Sequence, residues 1–506
     1  MNKRIAIFGG GTISHLRNHL ALCAPAFGST AEKIQELCRE IMPNMRDHLF
    51  LTQMACAYGD MVTNADVEAK SRKVIADLDY KIVFFSCAMC DFDGRIGTTP
   101  SGKYATRLKT ADLSISFAQA TAVFSANPRI NLVPAPKVIN LFRQGPESRK
   151  DIFLVGFKTT CGATEEEQYI EGLGLVKKAS CNLVLANDTQ TRLNMVITPE
   201  EAKYHVTTDR DEALRGLVEM AYLRSQLTFT RSTVVAGERV PWNSPEVPEA
   251  LRAVVNHCVA RGAYKPFNGA TVGHFAAKLD ETTFLTSIRK SNFNDIEKNG
   301  LVRIKTDGPD TVLAYGAKPS VGGQSQRIVF ENHPDCDCIA HFHCPIRAGS
   351  QVPTISQREY ECGSHECGAR TSAHLKQFGN LKSVYLDQHG PNIVFNRNID
   401  PQEVIDFIEA NFDLEDKTGG PVQIKLSPEK IRSSLLSIER SHEEEEVRLW
   451  TRNDEIWLSI GDWVDDDARE KIVAEIEQIT PAKITVEYES DPGENDEGWT
   501  EVWSEE

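Results

Sequence analysis

Three histidines have the type and spacing to hold one metal ion. His341 and His343 stand two residues apart in Ala340-His341-Phe342-His343-Cys344. Residues two apart in a strand point to the same face, so both imidazoles can reach one ion. Imidazole nitrogen suits Zn2+ at about 2.0–2.1 Å. His389, in Gln388-His389-Gly390-Pro391 after the strand-like run Ser383–Leu386, supplies a third ligand. Gly390 lets the backbone turn tightly beside it. Alone, His-x-His fits a structural pair equally well. The third histidine beyond a later strand is what points to a divalent metal, with Zn2+, Mn2+, Fe2+ and Co2+ all open. Cys362, His365 and Cys367, with Cys336 and Cys338, offer further ligand types at irregular spacing. A second zinc site, a substrate-contacting loop and ordinary reduced thiols all remain open for them.

A second set of residues points to phosphate. Phe8-Gly9-Gly10-Gly11-Thr12 follows the apolar run Arg4–Phe8. Glycines at a strand end let the backbone approach a phosphate, and the next helix offers free N–H groups. A plain tight turn would use the same residues. Ser14 stands where the third glycine of a dinucleotide fingerprint would fall, which counts against a nicotinamide or flavin oxidoreductase. Three later strand ends are also polar: Ser86–Phe92, Leu154–Lys158 and Leu183–Asp188. In open α/β sheets such ends line one ligand crevice.

The elements that must position these residues are legible as patterns. Residues 1–230 alternate apolar runs (Arg4–Phe8, Lys81–Phe85, Ile152–Phe157, Leu183–Ala186) with helix-like stretches. That predicts an α/β fold, a Rossmann-like parallel sheet with helices on both faces. Residues 231–247, with Gly237, Pro241 and Pro245, read as a linker. A second module covers 248–414, and Glu415–Gly420 reads as another linker. Residues 421–506 predict a small acidic α+β unit: strands at Val422–Leu426, Val447–Trp450, Glu455–Ile460 and Lys483–Tyr488, and helices from Pro428 and around Ala468–Ile479. Trp450, Trp457 and Trp463 are expected in its core. About three domains fit a chain of 506 residues.

The formal net charge of -16 argues against generic nucleic-acid or anionic-membrane binding. No apolar run approaches the roughly 18 residues of a membrane span, and Ile5–Phe8 is too short for a secretory signal. The 13 cysteines are expected as reduced thiols. A soluble, cytoplasmic protein acting on small molecules is expected.

In the first module, Gly10–Thr12, Cys87–Phe92, Arg107–Thr110, Val155–Phe157 and Ala186–Asp188 occur in the order of motifs in phosphopantothenoylcysteine synthetase, which residues 4–225 resemble. The resemblance implies binding of CTP or ATP with Mg2+, activation of a carboxylate as an acyl-nucleotidylate, and displacement by an amine. Gly10, Gly11, Thr12, Gly28 and Ser29 would lie at the phosphates. Asp91, Phe157, Asn187 and Asp188 would hold the nucleotide. Arg107 and Lys109 would neutralise the triphosphate, Lys109 as a catalytic group, with Lys177 and Lys178 assisting. The family's Asn-x-Ser-Ser-Gly loop is absent; Leu22–Thr30 stands there.

The second module resembles the class II aldolase/adducin family through Gly273–Ala276, Phe284–Ser287, Ser320–Gly322, His333–Asp335, His341–His343 and Gln388–Gly390. The resemblance implies an α/β/α sandwich, a homo-oligomer (dimer or tetramer) with sites between subunits, and metal-dependent lyase chemistry. Gly322 replaces the family's acid/base glutamate, and glycine cannot move a proton. His274 replaces an asparagine. Ile288–Ser291 replaces a phosphate turn, so Arg289 and Lys290, with Gly273 and His274, are expected at the substrate, against a solvated basic turn. Glu361 and His365, among Glu331, Tyr360 and Glu366, are candidates for the missing proton transfer. The leading expectation is a bifunctional enzyme, a carboxylate-activating ligase-like module joined to a metal-dependent lyase-like one. The alternative is a decayed pair of modules that senses a nucleotide and a metabolite.

Overall fold

The computed structural model describes residues 3–17, 19–96, 130–422, 428–442, 445–452, 455–461, 463–479, 483–488 and 500–501. Residues Met1–Val422 form one compact unit and Gln423–Glu506 another.

The first module is built on a 7-stranded sheet. Arg46–Leu51, Arg4–Gly9, Tyr80–Phe85, Phe153–Thr160 and Leu183–Asp188 run parallel in that spatial order. Asn194–Ile197 pairs antiparallel with the last of these, and Lys203–Thr207 pairs antiparallel with Asn194–Ile197. Strands buried on both faces need apolar residues at every position, which is how the runs read. Ala6 and Phe8 pack beneath the helices Asn64–Ala76 and Glu165–Ala179. Ile5 and Ile7 pack beneath Ser29–Ile41 and Arg210–Arg224. The expected doubly covered parallel sheet is present. One local expectation changes: the glycine turn does not open a helix. It leads into a hairpin, Ile13–Arg17 with Leu20–Cys23, and the helix begins only at Ser29.

The second module wraps a 10-stranded, mainly antiparallel sheet. Helices Glu249–Ala260 and Pro401–Asn411 cover one face through Val254, Val255, Val404 and Ile408. Helices Val321–Asn332 and His365–His374 cover the other. This is an α/β/α sandwich. The stretch read as a linker begins instead as an edge strand: Arg231–Val235 pairs parallel with Thr311–Tyr315. Its isolated polar and glycine-containing sequence hid a pairing that only a distant strand supplies.

The second predicted linker is also structural. Lys417 and Thr418 are buried. The Lys417 ammonium pairs with Glu201 of the first module at 2.6 Å, and Lys177 reaches the same carboxylate at 2.8 Å. Burial opposes ionisation of Glu201, but the two ammonium groups hold its carboxyl below the usual range. Tyr169 donates its hydroxyl hydrogen to the Glu201 carbonyl at 2.6 Å. Lys177 is therefore spent on the junction between modules and does not face the strand ends where a nucleotide would sit.

In Gln423–Glu506, helices Pro428–Ser441 and Asp466–Ile479 cover one face of a sheet through Leu435, Ile438, Ile472 and Ile476. That face of the sheet carries Leu449, Ile456, Leu458 and Ile460. Trp450 and Trp457 pair across strands on the opposite face, half-buried, and Trp463 is 57% exposed. Strand alternation puts the aliphatic residues, and not the tryptophans, in the core. The strand expected at Val422–Leu426 falls almost wholly outside the described residues, as does nearly all of the acidic tail.

Lys417→Ala would leave buried Glu201 with one cation instead of two. Removing the sole partner of a buried charge costs about 3 kcal/mol, and with Lys177 still paired a smaller loss is expected. A urea denaturation midpoint lowered accordingly is expected, and an unchanged midpoint would show the ion pair to be energetically idle.

Candidate functional site

Three strands bring the histidines together. Cys338–His341 pairs with His274–Lys278 on one side and Gly390–Phe395 on the other, placing His274 opposite His341 and Asn392 beyond it. The strand Cys338–His341 ends at the first ligand, and the chain runs on to His343. His389 comes from the turn after Leu381–Leu386. A Cβ at Gly390 would lie 2.0 Å from the Phe342 carbonyl oxygen, so only glycine permits this approach. Gly273 plays the same part on the other side, 2.6 Å from the His341 carbonyl oxygen.

His341, His343 and His389 are buried, and one ring nitrogen of each lies within 4.8 Å of the others. Among the described residues this is the one cluster of three metal-ligating side chains; Cys362, His365 and Cys367 do not converge. His341 Nδ1 lies 2.6 Å from the Pro391 carbonyl, which can only accept. The proton therefore sits on Nδ1, and Nε2 keeps its lone pair. The His341 and His389 Nε2 atoms are 3.3 Å apart. Two ligands at about 2.0–2.1 Å in tetrahedral geometry are separated by roughly that distance. Among the described residues, Nδ1 of His343 and of His389 are buried without a partner. Three buried neutral imidazoles with nitrogens this close, one pair at the spacing of two ligands on one ion, form a donor set that fits a divalent metal.

Burial drives all these imidazoles toward the neutral form. It lowers His341 to about 4. His343, His389 and His274 lie well below the ordinary histidine value, by burial and by one another's charge. His274 is not a solvent-facing substrate group. Its Nδ1 accepts from Gln326 Nε2, and Gln326 Oε1 in turn accepts from Thr286 Oγ1 at 3.3 Å. The cavity beside the cluster is lined by His274, His341, His389, Cys362, Cys367 and Asn392, among others. At about 10 Å3 it has room for about one water molecule.

The other candidates in this module lie at different places. Gly322 sits in the first turn of Val321–Asn332. Arg289 and Lys290 form an exposed turn beyond Thr283–Thr286, with the Arg289 N–H on the Lys318 carbonyl at 3.0 Å and Lys290 at φ 59°. His365 is engaged at the junction, its Nε2 2.7 Å from Thr230 Oγ1, and the Glu366 carboxylate accepts from Thr228 N–H. Glu361 is half-buried beside Glu200 and bonded by Asn182 Nδ2 at 3.3 Å. Burial first, and then Glu200, raises its carboxyl to about 7.

In the first module the glycines allow close approach of other parts of the chain. A Cβ at Gly10 would meet Thr52 Oγ1 at 2.2 Å, and one at Gly11 would meet the Ala24 carbonyl at 2.0 Å. Thr12 is buried, donating to Asn64 Oδ1 at 2.7 Å and accepting from Cys90 N–H at 2.9 Å. Asp188 accepts from Thr160, Gly162, Ala163, Gln190 and Thr191, which hold it below the carboxylate range against burial. The Thr12 and Asp188 side chains thus hold the loops at these strand ends in place. Gly28, at φ +84°, and exposed Ser29 open the helix Ser29–Ile41 without a side-chain cap. Asp91 pairs with Lys137 at 2.5 Å, and Asn187 accepts from Thr159 Oγ1 at 3.3 Å near half-buried Phe157. These line the carboxyl ends of the parallel strands. Arg107 and Lys109 lie outside the described residues. Sequence reasoning missed Asn64, Lys137 and Gln326, whose roles depend on distant partners that no local pattern announces.

The fold and the buried cluster define the second module as an α/β/α domain with a three-histidine site. Residues 255–349 match the family described as Class II Aldolase and Adducin N-terminal domain. No curated protein matches the chain. Two groups of solved structures are similar to it. A DNA/pantothenate metabolism flavoprotein from Streptococcus pneumoniae shares 17% identity over 43% of this chain and 96% of that one, with a TM-score of 0.31. The C-terminal domain of the coenzyme A biosynthesis bifunctional protein CoaBC shares 15% over 43% and 92%, with a TM-score of 0.30. L-fuculose-1-phosphate aldolase from Thermus thermophilus shares 17% over 32% and 84%, with a TM-score of 0.23. Among the described residues, no helix is long and apolar enough to cross a membrane.

Histidines buried neutral bind fewer protons folded than unfolded. Stability then rises with pH, is complete above the unfolded value near 6.5, and is lost as pH falls toward 4. His341 alone contributes about 3 kcal/mol by this linkage. The melting temperature of metal-free protein is expected to fall between pH 6.5 and pH 4, and substitution of His341 by Gln should flatten that slope. An equal slope in both proteins would place the acid sensitivity elsewhere.

Proposed function

We propose that the chain is a bifunctional metabolic enzyme whose second module holds one divalent transition metal, zinc in the simplest case. The observation that carries the proposal is the convergence of His341, His343 and His389, with His341 Nδ1 fixed on the Pro391 carbonyl. A bound metal would act as a Lewis acid on a carbonyl or phosphorylated small molecule, favouring cleavage or formation of a bond next to the carbonyl. Gly322 supplies no proton transfer. Glu361, next in sequence to the cavity-lining Cys362 and with a carboxyl raised to about 7, would be the acid/base group. His365, bonded to Thr230, would assist only by holding that segment.

For the first module, a carboxylate-activating step with CTP or ATP and Mg2+ remains the reading that fits its sequence motifs. The helix opening at Gly28 and Ser29, with Asp91, Phe157 and Asn187 around it, would take the nucleotide, and Arg107 and Lys109 the triphosphate charge. Asp188, Gly10, Gly11 and Thr12 would support these residues from behind. A cytoplasmic homo-oligomer acting on small metabolites completes the proposal. The small closed cavity favours a second reading, in which the metal module binds and senses without turnover.

The test is a panel of sugar-phosphate and hydroxy-acid aldol substrates with zinc-loaded protein. Turnover abolished by chelation, restored by metal and lowered by at least about a hundredfold in Glu361→Gln is expected, the scale of one acid/base group. Absence of turnover in a protein that retains its metal would favour the sensing reading.

A further inference from the structure

The metal cavity is walled by a segment that the first module holds in place. Between the short strand Thr354–Ile355 and the helix His365–His374, the chain from Ser356 to Ser364 has no regular structure to satisfy its backbone. Arg224 and Glu200 satisfy it from the first module. The Arg224 side chain is fully buried, and Glu200 is 3% exposed. Their ion pair spans 3.1 Å. Arg224 Nε donates to the Arg358 carbonyl at 3.0 Å, and Nη2 donates to the Gln357 carbonyl at 3.1 Å. Glu200 Oε1 accepts from the Cys362 N–H at 2.6 Å.

This grip reaches the cavity through two residues. Gln357 Nε2 donates to Cys367 Sγ at 3.1 Å. Cys367 and Cys362 both line the cavity that contains His341 and His389. The first module also touches the turn that carries the third ligand, since Tyr204 donates its hydroxyl hydrogen to the Asp387 carbonyl at 3.2 Å. A buried ion pair is a poor source of net stability, because desolvation offsets its attraction. A planar guanidinium with a fixed fork is, however, well suited to hold two carbonyls and a carboxylate at once, which lysine is not.

We propose that Arg224 and Glu200 are positioning residues for the metal site: the first module closes the cavity in cis, and this pair sets access to the three histidines. This rests on the metal reading for its first test and is independent of it for the second. Arg224→Lys keeps the charge opposite Glu200 and loses the fork. Glu200→Gln is the milder variant, keeping an acceptor for the Cys362 N–H.

Zinc-loaded wild-type and variant proteins are challenged with a chelator, and zinc release is timed. In parallel, alkylation of Cys367 by a maleimide is followed by peptide mass spectrometry, with buried Cys258 and Cys38 as internal controls. In Arg224→Lys, zinc release and Cys367 alkylation are expected about tenfold faster, the scale of one lost charge-assisted hydrogen bond, with Cys258 and Cys38 unchanged. Glu200→Gln should move the same two rates in the same direction by less. Wild-type rates in both variants would overturn the proposal. Equal acceleration of all three cysteines would also overturn it, by showing global loosening. If Arg224→Lys fails to fold, Glu200→Gln decides by the same criteria. If the wild type holds no zinc, the metal reading fails while the Cys367 rates still decide whether the pair holds the wall.

Discussion

Three imidazoles facing one another out of reach of water must stay neutral, and much of the second module follows from that requirement. A protonated histidine there would be an unpaired charge in an apolar medium, so burial holds every ring below the ordinary histidine range. Neutral rings then bring their nitrogens to the spacing of ligands on one ion, an arrangement that suits a cation. The backbone is shaped to make it possible. Gly273 and Gly390 let neighbouring carbonyls pass too close for any side chain, and the Pro391 carbonyl, next to that tight approach, faces His341 Nδ1. Gln326 and Asn392 bound the site with amides and bring no charge.

The candidate nucleotide residues and the contacts to the second module lie at opposite ends of the 7-stranded sheet. Gly28, Ser29, Asp91 and Asn187 belong to the carboxyl ends of the parallel strands. Asn182, Glu200, Glu201 and Arg224 belong to the amino ends, where the second module docks. The strand Leu183–Asp188 has 6 residues, so at about 3.3 Å per residue the two regions are roughly 20 Å apart. On the proposed reading the first module has two separate faces, one for a ligand and one against its neighbour's cavity. Direct passage of an intermediate between the sites within one chain does not suit this layout.

Much of this was legible in the sequence where chemistry and local pattern coincide. Apolar runs bounded by glycines marked the parallel strands, and the spacing of His341, His343 and His389 marked the cluster. What was not legible depends on partners far along the chain. Arg231–Val235 looks like linker until Thr311–Tyr315 is beside it. Lys417 looks solvated until Glu201, in another module, buries it. Gly10 and Gly11 have the signature of a phosphate turn, and what the sequence did not announce is that a side chain at either would collide with Thr52 or Ala24. Asp188 ends a strand in the position of a ligand, but five local donors fill its lone pairs. The tryptophans of the last unit misled because size suggested core, while alternation along Arg448–Arg452 and Glu455–Ile460 gave the inward positions to aliphatic residues.

The proposed metal centre is tested most directly by measuring metal per chain and its ligand shell together. Purified protein loaded with zinc should retain one ion per chain after desalting. X-ray absorption should find nitrogen neighbours at about 2.0–2.1 Å, three of them histidine. His341→Ala should retain none while keeping its fold. Zinc lost on desalting from the wild type, or held equally well by His341→Ala, would contradict the three-histidine centre and leave these residues as a neutral structural cluster.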